Sequence, residues 1–294
     1  MCSSSGGVAD FLRANGALRP VYTKDKGNER MSKGLTKGLN ANQIKWIALV
    51  FMTIDHINAC IFTTVAENSA LSHLGRISAP LFLFVLTESV RHTKDKKRLI
   101  LRLYIAGLLG SIFTLCFIIL VNELVFPGPI YMGVPNNILF TYAYTAIYIC
   151  LLERGMKAVR TKNLKGIFVT VAGVIATFIP QLAYYVYDGT AFYSIEVGSV
   201  SLEREVLAAF FPPIFFIEYS PMFVLMGICI YLAKGKWKCF VFAFFCVLSY
   251  LGAPIVSNLW PFTDFFWPGQ FWMILALPFM LLYNGEKGPG SRPH

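Results

Sequence analysis

Along the chain, apolar runs of bilayer length alternate with short polar blocks, and the runs fall at residues 44–65, 71–90, 99–121, 137–153, 165–187, 217–233, 237–257 and 266–283. Each lies near the ~20 residues that a helix needs to cross ~30 Å of hydrocarbon. The pattern therefore predicts an all-α, polytopic transmembrane bundle of about eight spans. The sixth run is the irregular one. The stretch from Leu207 to Ala233 is too long for one span and is interrupted by Pro212, Pro213 and Pro221. Its first part is read as an outer, interfacial segment.

The polar blocks orient the bundle. Of the 26 Lys and Arg, all but Arg76 and Arg204 precede the first run, follow the last, fall between runs two and three, four and five, or six and seven, or sit within the first four residues of runs one, three, five and seven. Cytoplasmic loops carry an excess of Lys and Arg, so both termini are expected to be cytoplasmic. The chain is expected to cross a cell membrane several times.

Composition agrees with that reading: 56% of residues are hydrophobic, 14% are charged and the mean hydropathy is +0.58. Soluble domains average roughly 45–50% apolar residues. In a soluble chain, the net charge of +10 would suggest nucleic acid. Here the basic residues mark topology, and no nucleic-acid partner is expected.

Residues 1–40 are polar and lack the apolar core of a signal peptide. They read as a disordered cytoplasmic extension, within which Met31 offers an alternative start. Residues 41–288 form the transmembrane domain and 289–294 a short tail. The seven cysteines, at 2, 60, 116, 150, 229, 239 and 246, show no metal spacing and read as apolar thiols. No metal site is expected.

Candidate chemistry begins in the first run, which carries Asp55 and His56 near its middle. A charge at that depth costs about 2.5–3.5 kcal/mol on insertion scales. The 11 steps from Lys45 to His56 turn a helix by about 1100°, three turns plus about 20°, so the two share a face ~16 Å apart. Asp55 points about 100° away from His56. The plain alternative is that His56 and Asp55 hydrogen bond across helices while Lys45 anchors the inner boundary.

The segment Ile44-Lys45, Ala48-Leu49-Val50, Met52, Asp55-His56-Ile57 resembles the first helix of the TraX family of membrane proteins. The resemblance continues through Gly75-Arg76-Ile77, Pro80-Leu81-Phe82, Phe84, Glu88 and His92-Thr93, then Asn137-Ile138-Leu139-Phe140-Thr141. It ends at Gln270 and Tyr283-Asn284-Gly285-Glu286-Lys287-Gly288. It implies a membrane acetyltransferase of the kind that acetylates the N-terminus of pilin in conjugation, related to transmembrane acyltransferases whose first helix carries a basic residue, ten spacers and a histidine. Two departures stand out. The family pattern continues into a further aromatic helix with a histidine, whereas this chain ends at Pro293-His294. In addition, Glu218-Tyr219-Ser220-Pro221 stands where something like Asp-Tyr-Gly is expected.

On this resemblance, acetyl-CoA is the donor, and its phosphates are expected at an inner mouth of Lys45, Arg91, Lys94, Lys97, Arg98 and Arg102. His56 is the expected general base or acyl carrier, with Asp55 beside it. Arg76 would stabilise the oxyanion or hold an anionic acceptor. Glu88 is expected near the inner surface with Lys45 as its ion-pair partner. Asn137 and Glu218 are structural or acceptor-site candidates. The acceptor is a pilin-like peptide, a glycan or a small molecule. Two other classes stay open: a transporter using Asp55 and His56 as a proton relay, and a pilus or secretion scaffold that does not need His56.

Overall fold

The computed structural model describes residues 38–61, 70–124, 137–188, 202–256, 265–266 and 268–288. Contacts divide the chain into Met1–Gly38 and Leu39–His294, and the helices described below belong to the second unit. The expected extension, up to residue 37, and the tail lie outside the described residues, as do the ends of several predicted spans. Among the described residues the fold is all-helical, with one isolated parallel bridge between Leu39 and Tyr283.

The helices are α1 (Ala41–Ile61), α2 (Ala70–Gly75), α3 (Ser78–His92), α4 (Lys96–Leu124), α5 (Ile138–Arg160), α6 (Leu164–Ala176), α7 (Ile179–Asp188), α8 (Leu202–Phe210), α9 (Ser220–Leu232) and α10 (Trp237–Val256). A 3₁₀ helix (Pro268–Ala276) and α11 (Leu277–Leu281) complete it. Among the described residues, three helical segments are long and apolar enough to cross a membrane: Lys96–Phe117, Leu164–Ala183 and Trp237–Val256. The other predicted runs fold as helices too short or too polar to meet that measure. The fifth run bends at Thr177 and Phe178, just before Pro180, and so divides into α6 and α7.

Helix α1 starts where its polar residues cap it. Asn40 Oδ1 accepts from Gln43 N at 3.0 Å, and Gln43 Oε1 accepts from Asn40 N at 2.9 Å, a reciprocal capping box. The next two N–H groups, of Ala41 and Asn42, donate to the carbonyls of Glu286 and Lys287 at 2.8 and 3.2 Å. The Tyr-Asn-Gly-Glu-Lys-Gly stretch thus closes the N-terminus of α1, whose N–H groups would otherwise lack partners. Gly285 and Gly288 make the closure with φ of +82° and +91°, a backbone region open chiefly to glycine.

The core follows helical spacing. Ala41, Ile44, Ala48 and Asn58 form the buried face of α1, which packs on α2 and α3. Helix α3 is buried along most of its length between α1, α5, α9 and the 3₁₀ helix. Close approach of α5 and α6 needs small residues, and Gly155, Gly166 and Gly173 meet Thr170, Ala158 and Leu151 across that seam. Asn137 caps α5 by accepting from Leu139 N and ties it to α4 by donating to Gly107 O at 2.9 Å. Its role in the fold is structural.

Between α8 and α9 the backbone leaves the helix for nine residues, as Pro212 and Pro213 require. Irregular backbone at membrane depth must find partners within the protein, and here side chains supply them. Tyr104 donates to Phe210 O, Tyr144 to Pro212 O at 2.7 Å, and Thr141 to Glu218 O at 2.8 Å. Gln181 Oε1 accepts from Phe215 N at 3.1 Å. Three helices, α4, α5 and α7, thereby hold a non-helical segment that ends at Glu218 and Tyr219.

Candidate active site

His56 sits in the fifth turn of α1 and is exposed on the bundle surface. Its Nδ1 lies 2.8 Å from the carbonyl of Met52. A carbonyl can only accept, so Nδ1 carries the proton, and in neutral imidazole Nε2 keeps its lone pair. The ring is thereby oriented as a base by its own helix.

Asp55 does not perform that orientation. Its side chain lies against the backbone of Gly75, where a Cβ would fall 2.5 Å from the Asp55 Cβ and closer still to the carboxylate. Glycine at the end of α2 therefore lets α1 approach. Arg76 follows at once, and its guanidinium donates to Tyr219 Oη at 3.5 Å. The non-helical segment delivers Glu218 to the same place. The Glu218 carboxylate accepts from the N–H of Ile138, the first residue of α5, where the helix dipole favours an anion. Arg76, His56 and Asp55 all lie close enough to act on it electrostatically. Tyr142, which donates to Ala79 O at 2.9 Å, lies within the field of Glu218 and Tyr219.

The tertiary structure thus gathers Asp55, His56, Arg76 and Glu218 from three separate stretches of chain, with Tyr219 added. Tyr219 and Ser220 both have left-handed backbone, with φ of +62° and +63°. Such conformations cost a non-glycine residue on the order of 1–3 kcal/mol and cluster at functional sites. Position 220 is where glycine was expected. Ser220 is buried, and its Oγ accepts from Met222 N at 3.3 Å, which offsets part of the cost.

The basic residues of the inner end separate into two groups. Arg91 is taken up by the protein: it donates to Tyr231 O and lies 4.8 Å over the Tyr231 ring. Tyr231 Oη in turn donates to Glu153, which also pairs with Lys96. By contrast Lys45, Lys94, Lys97, Arg98 and Arg102 are exposed, with Arg98 3.5 Å from Asp95. Helix α4, which bears Lys97, Arg98 and Arg102, packs on α5 and α8, while Lys45 projects from α1, which packs on α2 and α3.

Glu88 corrects an expectation. Its carboxylate is ion-paired to Lys238 at the start of α10 and lies 3.9 Å from His92. Lys238 takes the place expected for Lys45, which is exposed on α1. Nothing in the local pattern of Lys238, one of three lysines around a tight turn, marks it for this role. Tyr219 was equally unremarked, although it adjoins Glu218. Among the described residues, no group of three His, Cys, Asp or Glu could hold a metal ion.

The family model for TraX, described as TraX protein, matches residues 40–204. That range holds Lys45, Asp55, His56, Arg76, Glu88 and Asn137, while Glu218 and Gln270 lie beyond it. No curated protein and no solved structure matches the chain.

Proposed function

The chain belongs to the TraX family, and from that premise we propose that this membrane protein is an acetyltransferase that moves the acetyl group of acetyl-CoA to an amine or hydroxyl. The observation that carries the reading is the free Nε2 of His56, set by the Met52 carbonyl, beside Arg76 and Glu218.

In the reaction, Nε2 takes a proton from the acceptor as its nitrogen or oxygen attacks the thioester carbon. The carbonyl electrons move onto oxygen, where the Arg76 guanidinium offers countercharge. Collapse breaks the C–S bond, and the imidazolium returns its proton to the departing thiolate. Formation of acetyl-imidazole at Nε2, followed by transfer, is the two-step variant. The donor's phosphates would meet Lys94, Lys97 and Arg102 at the basic end, with Lys45 on α1. Arg91 and Lys96 serve the interhelical network instead. The acceptor is a pilin-like peptide, a glycan or a small molecule. The bundle crosses a bacterial cytoplasmic membrane about eight times with both termini inside, a reading supported by the charge alternation of the loops.

The test uses purified protein in detergent with labelled acetyl-CoA, following the label into candidate acceptors. His56→Ala should lower transfer by about 10²–10⁴, the range for loss of a general base, with melting temperature and donor binding unchanged. Lys45→Ala should raise the KM for acetyl-CoA before it lowers kcat. Wild-type transfer by His56→Ala would sink the proposal. A transport activity abolished by the same change would favour the proton-relay class.

A further inference from the structure

Helices of the 3₁₀ type rarely run beyond 3–4 residues, yet the one at Pro268–Ala276 spans nine. Residues three apart eclipse in that geometry, so Gln270, Met273 and Ala276 form one stripe. All three are buried, at 4%, 0% and 0% exposure. Met273 and Ala276 suit the apolar core they enter. Gln270 does not: its side-chain carbonyl oxygen is buried without a hydrogen-bond partner. Buried polar atoms of that kind are rare in folded proteins and call for an explanation.

The position of the 3₁₀ helix supplies one. Trp272, two residues on, stacks on His73 of α2 with ring centroids 4.6 Å apart. Two residues beyond His73, Gly75 receives the Asp55 side chain, and Arg76 follows. The 3₁₀ helix packs on both α2 and α3. Gln270 is therefore carried by an element that packs on α2, whose last residue, Gly75, receives the Asp55 side chain.

We infer that Gln270 is an acceptor-binding residue, its amide oxygen accepting a hydrogen bond from an N–H or O–H of the molecule to be acetylated. This rests on the acetyltransferase reading for its chemistry. A carbonyl oxygen can only accept, so it holds the protonated nucleophile and not the oxyanion. A site built to receive such a donor discriminates strongly against analogues lacking it, because its own polar atom is then left unpaired.

The experiment measures melting temperature and binding on purified full-length protein in detergent, with trialanine as amine probe, methyl glucoside as hydroxyl probe, and acetyl-CoA. Gln270→Met removes the oxygen at nearly constant volume. Without ligand it should melt about 2–4 °C above wild type, because an unsatisfied buried group is gone. It should bind one of the two acceptor probes about tenfold more weakly and acetyl-CoA unchanged. Gln270→Glu, which keeps an oxygen acceptor, should bind that probe within about twofold of wild type. The inference is overturned if Gln270→Met melts below wild type, if both acceptor probes bind it as they bind wild type, if neither binds wild type, or if only acetyl-CoA binding falls. Gln270-dependent binding without any acetyl transfer would overturn the catalytic reading alone. Transfer with Gln270-independent binding would overturn this inference alone.

Discussion

Replacing Gly75 by Ala puts one methyl group where α1 meets the end of α2. The new Cβ would fall 2.5 Å from the Asp55 Cβ and nearer still to its carboxylate. Carbon atoms rest at about 3.5–4.0 Å, so the two backbones must separate by about 1–1.5 Å. Rotating Asp55 cannot relieve the contact, because its Cβ does not move with χ1. Overpacking of this kind costs typically about 1–3 kcal/mol, and at about 2–4 °C per kcal/mol for a domain of this size the melting temperature should drop by about 2–12 °C. His56 is the next residue after Asp55, and a displacement of about 1 Å at a reacting group can cost about 10²-fold in rate. The assays are melting in detergent and acetyl transfer. A double-mutant cycle adds the control. Asp55→Ala keeps the Cβ and should not rescue Gly75→Ala, whereas in an Asp55→Gly background the stability cost should fall by about 1 kcal/mol or more. If Gly75→Ala melts within about 1 °C of wild type in every background, the packing argument is wrong.

Ser220 should reverse the ordinary helix preference. A residue with a Cβ costs about 1–2 kcal/mol in left-handed backbone, glycine loses about 0.5–1 kcal/mol of that advantage to chain entropy, and both replacements lose the same Oγ hydrogen bond. Ser220→Gly should therefore unfold at a higher denaturant concentration than Ser220→Ala, by about 1 kcal/mol, and equal or opposite stabilities would refute the backbone assignment. For orientation, cysteines introduced at Lys96, Lys162 and Lys236 should react only with reagent supplied from the cytoplasmic side, and one at Gly128, outside the described residues, only from the other. Same-side labelling of positions 96 and 128 would reject the eight-span topology.

Much of this protein is legible in its sequence because helix and bilayer impose periods that a single chain displays. The apolar runs announce an all-helical membrane protein, since a segment crossing hydrocarbon must satisfy its own backbone. The Lys and Arg blocks carry orientation for a similarly local reason. Helical spacing alone puts Lys45 and His56 on one face of α1, and the Pro pair at 212–213 announces the broken segment before α9. Even the start of α1 is local, because Asn40 and Gln43 cap each other.

The candidate site is different, because its members are distant in sequence and meet only through packing. Asp55 adjoins His56 in the chain, yet it lies against Gly75 while a backbone carbonyl orients the imidazole. Glu218 reaches the cluster because three helices hold the carbonyls and N–H groups of a non-helical segment. Glu88 pairs with Lys238, 150 residues away, and not with the lysine that depth along the helix suggested. Periodicity fixes the face and height of a side chain on its own helix. Which helix lies opposite is decided by the fit of glycine to side chain and of buried donor to acceptor, and those exist only once the chain has packed.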